Sequence, residues 1–447
     1  MKKPGSLLLY IFILIFSATA QGVENAKLDS YVEALAKHDK AMLSLAIVEN
    51  GTLIYHKSTG VKDLETKQPA NEATQYRIGS ITKMFTSVMI FQLIEESKLS
   101  LDTTLDQFYP NIENADKITV SMLLSHRSGI PNFTDSPQYS QYMTQSHTEA
   151  EMINKIKKLD SEFLPGSKAK YSNSGYVLLG FILENVTNDS YASQLEKRIS
   201  NKLGLKRTAY GGPINVQDNQ ANSYVRAGFD WSPASQTDMS IPHGAGAIIS
   251  TPADVSMFLS GLFSGKLISA PSLSKMKEIN QGFGRGLFQY RFNDRTAYGH
   301  DGGIDGFSSQ AAYFEADKVA ISLTSNAMNY SINEIGIAIL SIYFDLPYDI
   351  PDFNDKPVSL PQEKLVNYEG VYSSPQIPLK ISLKVNDGRL MAQASGQGAF
   401  PLTPYSDSKF HFDAAGIVLI FKTNDGEVDH SVFELNQAGG KYIFSRE

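Results

Sequence analysis

The sequence predicts an α+β fold, an antiparallel sheet flanked by helices with a helical insert, followed by a small all-β module at the C-terminal end. Three observations carry this. Strand-like runs stand near both ends of the first 344 residues, in "MLSLAIVENGTLIYHKSTG" (Met42 to Gly60) and "SSQAAYFEADKVAISLTSNA" (Ser308 to Ala327). Between them, from Ser80 to about Leu262, apolar residues recur mainly at helical spacing. Past a proline-rich stretch, short alternating runs return. Strands from both ends of one domain, enclosing a helical insert, pair antiparallel and lack the alternation of repeated βαβ units.

In chain order, residues 1–20 read as a secretory signal peptide. Lys2 and Lys3 precede the apolar run Leu7 to Phe16, and Ala18-Thr19-Ala20 forms a small-residue cleavage site before Gln21. That run is shorter than the ~20 residues a spanning helix needs. No cysteine occurs in the chain, which excludes disulfides, thiolate chemistry and a lipoprotein cleavage site. A periplasmic or secreted protein with no integral membrane segment after signal removal is expected. Without Lys2 and Lys3 the 40 basic residues become 38 against 47 acidic ones, a net charge of −9. Like-charge runs are short, so neither nucleic acid nor an anionic membrane is expected as partner.

About 425 mature residues exceed one ordinary core, which rarely grows past ~250 residues. The expected boundaries are a first domain over 21–344, a linker over 345–361 containing Pro347, Pro351, Pro357 and Pro361, and a C-terminal β module over 362–447. Leu28, Tyr31, Val32 and Leu35 are spaced as a helix face. Asn50-Gly51 between two strand-like runs signals a hairpin, because both turn residues tolerate positive φ. Helices are expected at Val120 to Ser125, Tyr176 to Val186, Tyr191 to Leu203, Pro252 to Leu262 and, packed on the sheet, Ile332 to Phe344. Strands are expected at Lys380 to Val385, Gly388 to Ala392, Ile417 to Lys422 and Ser431 to Leu435. No internal repeat is visible.

Chemistry-bearing residues cluster in three motifs. In "YRIGSITKMFTS", Ser80 and Lys83 are three apart at the head of an apolar helix, so hydroxyl and amine share a face. The positive helix end and its free amides favour an anion there and a neutral lysine. A serine beside an amine base is a workable nucleophile, although Ser-x-x-Lys alone arises by chance. Tyr171-Ser172-Asn173 precedes a helix, and His300-Asp301-Gly302 leads into the second hairpin. Taken singly, Tyr171 and Asn173 could shape a helix entry and His300 a turn.

Together and in this order, the motifs resemble the serine β-lactamase and penicillin-binding-protein superfamily, in the branch of class C β-lactamases, DD-peptidases and related esterases. "ITVSMLLSHRSGIPNF", "GAGAIISTPADVSMFL" and "LDTTLDQFYP" are also similar to that family's wording, and the likeness spans Leu28 to Phe344. The resemblance implies the β-lactamase/transpeptidase fold and an acyl-enzyme. Ser80 would attack the carbonyl, Lys83 would take or relay its proton, and Tyr171 would pass a proton to the leaving group. Asn173 would hold the substrate amide, and the N–H groups of Ser80 and Gly303 would form the oxyanion hole. His300 fills a place where many members carry Lys. Asp301 and Gly302 would border the substrate.

Other features are set aside. Gly282-Phe283-Gly284-Arg285-Gly286 lacks the βαβ setting of a phosphate loop. The eight histidines show no metal-ligand spacing, so no metal or other cofactor is implied. Ser125-His126 are helical neighbours that point apart, and Arg127-Ser128-Gly129 reads as a helix end. The expectation is an exported serine hydrolase acting on a small-molecule or peptide amide or ester, most readily D-amino-acid peptides or esters. A β-lactamase, a short-acyl esterase and a catalytically silent peptidoglycan-fragment-binding protein are the alternatives, and the oligomeric state stays open. The C-terminal module resembles small β-barrel-like domains appended to such hydrolases, either a stabilising lid or a wall of the cleft. Asp301 departs from the family pattern, which has a hydroxyl residue there for a substrate carboxylate. Its carboxylate either faces substrate or pairs with Arg285, Arg291 or Arg295.

Overall fold

The computed structural model describes residues 25–447 except 228–229, 349, 352, 355 and 438–439. The leader read at 1–20 lies outside the described residues. Two compact units emerge: Ala41–Met328, and a second that joins the described residues up to Lys40 with Asn329–Glu447.

In the first unit, β1 (Ala41–Glu49) and β2 (Thr52–Ser58) form the hairpin, with Asn50 at φ +50° and Gly51 at φ +80°. Both turn residues adopt the left-handed conformation that the dipeptide favours. The remaining main strands are β3 (Phe288–Phe292), β4 (Arg295–Ile304), β5 (Phe307–Phe314) and β6 (Val319–Met328), and the order is β3-β4-β5-β6-β1-β2, antiparallel throughout. β1 is buried along nearly its whole length, as its unbroken apolar run requires of a central strand. Neither β3 nor β4 is among the strands expected from the sequence. Glycines mask the period of β4, and its pairing with β5 overrides them, whereas β3 alternates as Phe288, Tyr290 and Phe292 and pairs with β4.

Helix α1 (Thr82–Glu95) is buried from Thr82 to Leu93, so it is the central helix of the insert and not an amphipathic surface one. It packs on α2 (Asn173–Thr187), and its Phe85 stacks on Phe258 of α3 (Pro252–Phe263) with centroids 3.7 Å apart. Helix α3 lies across β6 and β1 and joins sheet and helices into one core. The stretch Tyr191 to Leu203 is helical with a wider π turn at Glu196–Ser200.

The second unit contains helices at 25–37 and Ile332–Tyr343, no helix or strand among the described residues of 345–361, and a nine-stranded antiparallel sheet between Gly370 and Arg446. Tyr368, Tyr372, Phe410, Phe421, Phe433 and Phe444 form the centre of its separate core.

Candidate active site

Ser80 precedes the α-helix proper. It sits in the 3₁₀ turn Gly79–Ile81, which Gly79 opens at φ +51°, and α1 begins at Thr82. The glycine is required twice: by the positive φ, and because a Cβ there would stand 2.8 Å from the nitrogen of Gly303 on β4. Next to it, a Cβ on Gly302 would collide with the Ile78 carbonyl. Two stretches 223 residues apart, the turn holding Ser80 and the strand holding Gly303, thus meet backbone to backbone.

Lys83 Nζ lies 2.8 Å from Ser80 Oγ, 2.8 Å from Asn173 Oδ1 and 2.8 Å from the Ala245 carbonyl. The side chain is fully buried, and burial drives its pKa well below that of an ordinary lysine. Two of its neighbours, Asn173 Oδ1 and the Ala245 carbonyl, can only accept hydrogen bonds. A neutral amine has two hydrogens for them and one lone pair left, which then faces the Ser80 hydroxyl. Tyr171 donates its phenolic hydrogen to Ser80 Oγ at 2.7 Å, and burial pushes its pKa upward, with the hydrogen bond to Ser80 opposing. Lys83 Nζ is 4.8 Å from the centre of the Tyr171 ring.

His300 is buried, its Nδ1 2.5 Å from the Asp301 carbonyl, its ring 4.5 Å from Phe288 and 6.2 Å from Tyr171. Burial, with Lys83 nearby, lowers its pKa to about 3, so it is neutral at pH 7. Asp301 has no arginine partner of the kind the sequence allowed: Arg285 pairs with Glu278, Arg295 pairs with Asp294 and Asp317, and Arg291 is exposed. Burial raises its pKa, with the Gln310 amide and the Tyr290 phenol nearby opposing, and its Oδ1 is buried without a hydrogen-bond partner among the described residues.

Ser80, Asn173 and Gly303 line a cavity of about 550 Å³, with Lys83, Tyr171 and His300 behind the nucleophile. Asp301 and Gly302 are not among its lining residues. Phe133, Tyr139, Met143, Pro242, Ile304 and Phe307 give it an apolar, partly aromatic wall. Among the described lining residues the sole charged side chain is Asp305, which is paired with Arg77 at 2.7 Å.

Sequence reasoning missed several supporting residues. His126, at φ +58°, accepts a hydrogen bond on Nδ1 from the Ser172 N–H at 3.2 Å and packs against the Tyr171 ring at 4.5 Å, tilted by 31°. Asn132 Oδ1 accepts from the Asn173 N–H at 3.0 Å. "LLSHRSGIPNF" contains both, but only folding brings them under Tyr171 and Asn173.

A model of the family described as Beta-lactamase matches residues 28–337. The chain belongs to the Beta-lactamase family. It is 24% identical over 421 residues to penicillin-binding protein 4* of Bacillus subtilis (strain 168), spanning 88% of this chain and 93% of that protein. Among solved structures it is similar to the D-amino acid amidase of Ochrobactrum anthropi SV3 complexed with D-phenylalanine, with a TM-score of 0.65 and 26% identity over 72% of this chain and 99% of the other. An octameric penicillin-binding protein homologue from Pyrococcus abyssi shares the fold across 94% of this chain and 99% of its own, with a TM-score of 0.66 at 24% identity. As a member of the Beta-lactamase family, within the serine β-lactamase and penicillin-binding-protein superfamily, this chain is a serine hydrolase for amide or ester bonds. No helix among the described residues is long and apolar enough to cross a membrane.

Proposed function

We propose that this protein is exported by its leader and forms an acyl-enzyme on Ser80 with amides or esters of D-amino acids, preferring apolar or aromatic side chains. The observation that carries the reading is the convergence of Lys83 Nζ at 2.8 Å and the Tyr171 hydroxyl at 2.7 Å on Ser80 Oγ, at the wall of the cavity. Ser80 Oγ bonds to the carbonyl carbon and its proton passes to the neutral Lys83, directly or through Tyr171. The negative oxygen settles between the N–H groups of Ser80 and Gly303, where each donor is worth about 3 kcal/mol. Collapse expels the amine or alkoxide, which Tyr171 protonates while Lys83 restores the phenol. Water then repeats the sequence on the ester and releases the acid.

Phe133, Tyr139 and Met143 supply an apolar wall for the acyl side chain. The absence of Lys and Arg from the described lining residues disfavours substrates anchored by a free carboxylate. The likeness to a D-amino acid amidase bound to D-phenylalanine supports the stereochemistry proposed here. Incubation with D- and L-phenylalanine p-nitroanilide and with nitrocefin, read by release of chromophore and by intact mass, tests the reading. An adduct on Ser80 with faster turnover of the D-anilide is expected, and Ser80→Ala should abolish both. Preferred nitrocefin hydrolysis would make it a β-lactamase; no adduct with any acyl donor would make it a binding protein.

A further inference from the structure

We propose that Arg77 and Asp305 are positioning residues that set the two halves of the oxyanion hole, acting with Thr237 as a buried clamp. The inference rests on the reading that the hole consists of the N–H groups of Ser80 and Gly303.

Arg77 ends the short strand Tyr76–Arg77, three residues before Ser80. Its side chain is 2% exposed and that of Asp305 is 1% exposed. Arg77 Nη1 donates to Asp305 Oδ2 at 2.7 Å and to the Thr237 carbonyl at 2.8 Å, and Nη2 donates to the Gly212 carbonyl at 2.9 Å. The second carboxylate oxygen, Asp305 Oδ1, accepts from the Thr237 N–H at 2.9 Å and from its hydroxyl at 2.7 Å. One guanidinium and one carboxylate therefore hold four segments of backbone together, at Arg77, Gly212, Thr237 and Asp305.

Those segments frame the reacting atoms. Asp305 lies in the β4–β5 turn at φ +55°, two residues past Gly303. Thr237 and Asp305 both line the cavity, as does Tyr139. The clamp fixes the chain leading into Ser80 against the turn that follows Gly303, so it controls the separation of the two N–H donors. Gly79 and Gly303 already meet so closely that no Cβ fits between them, which leaves little slack for an error.

Stability does not by itself explain a buried ion pair, because the cost of desolvating two charges offsets most of their attraction. Geometry does: a planar guanidinium bonded to three acceptors resists both rotation and translation. Misplacing a donor of the hole by about 1 Å costs on the order of 10²-fold in rate.

The test uses Asp305→Asn and Thr237→Val, near-isosteric changes, with Arg77→Lys as a third variant. Concentrations are set by active-site titration of folded protein on an activated ester. Phenylboronic acid serves as the transition-state probe, since Ser80 Oγ adds to boron and leaves an oxygen for the hole. Expected is a kcat loss on the order of 10²-fold in Asp305→Asn, smaller in Thr237→Val, with KM within about threefold. Boronate affinity should weaken in parallel with kcat/KM. Unchanged kcat and boronate affinity per titrated site, or losses confined to KM or to the folded fraction, would overturn the proposal. Wild-type protein that forms no boronate or acyl adduct on Ser80 would instead remove the reading on which it rests.

Discussion

The rings of His126 and Tyr171 lie 4.5 Å apart, centroid to centroid, with 31° between their planes. Because His126 Nδ1 accepts from the Ser172 N–H, the imidazole carries its hydrogen on Nε2. Burial, with Lys83 and His300 nearby, holds its pKa well below the usual value, so it is neutral where the enzyme works. It therefore shapes the Tyr171-Ser172-Asn173 turn without titrating. His126→Phe should keep the ring contact but leave the Ser172 N–H buried and unpaired, at a cost of about 1–3 kcal/mol. Urea unfolding should record that loss, and kcat should fall while the pH profile keeps its shape. A shifted acidic limb would make His126 a proton carrier instead.

The pH dependence follows from which groups are buried neutral. Lys83 folds with a pKa well below its ordinary 10.5, so between the two values the unfolded chain binds one more proton than the folded one. Stability gains about 1.4 kcal/mol per pH unit from this group across that window as pH rises, and the gain is absent in Lys83→Met. His300 has the same sign lower down: between pH 6.5 and about 3, stability falls as pH falls. Urea-derived stabilities at pH 4 and pH 6, both inside that window, should differ in slope between wild type and His300→Gln by close to one proton. For catalysis, His300 stays neutral from pH 5 to 8, so the acidic limb of kcat/KM belongs to Lys83 and survives His300→Gln.

Lys83→Ala and Tyr171→Phe should each slow acylation by 10²-fold or more, roughly, with little change in ground-state binding, since both act on proton transfer. Both groups contact one oxygen, Ser80 Oγ, and either loss breaks the same relay. The double variant should be far from additive in log rate. Single-turnover release of p-nitrophenol from an acetate ester measures it, and strict additivity would mean two independent functions.

How far the sequence reached depends on the range of the interactions. Asn50-Gly51 announced its hairpin because both residues solve a local φ problem. Ser80, Lys83, Tyr171 and Asn173 were legible as ordered motifs, and the structure brings their polar atoms within hydrogen-bond reach of one another. Strand β4 was not, since Gly299, Gly302 and Gly303 erase the alternation by which a strand is recognised, whereas β3 keeps that alternation in Phe288, Tyr290 and Phe292 but over only five residues. Nor was the Arg77–Asp305 pair, whose members are 228 residues apart and carry no local pattern. The 3₁₀ turn under Ser80 answers to a contact with Gly303 that no window of sequence contains.

Asp301 does not line the cavity, so an effect of its charge on substrate choice would act from behind the wall. Burial raises its pKa, whereas Gln310 and Tyr290 favour its charged form, and no arginine neutralises it. A substrate carboxylate in the cavity would meet like charge across that wall, at a cost below that of a contact pair, which is ~1 kcal/mol in water and a few times that in a less polar setting. The cavity compensates with no lysine or arginine among its described lining residues. Substrates that are neutral, or that carry an amine near the scissile bond, avoid the penalty. Asp301→Thr removes the charge, so it should shift the kcat/KM ratio of nitrocefin to D-alanine p-nitroanilide upward, by up to about fivefold, the equivalent of ~1 kcal/mol. Because Asp301 contacts Tyr290 and Gln310 and not the nucleophile, hydrolysis of p-nitrophenyl acetate should change far less. Efficient nitrocefin hydrolysis by the wild type, or an unchanged ratio in Asp301→Thr, would show that this carboxylate does not govern substrate charge.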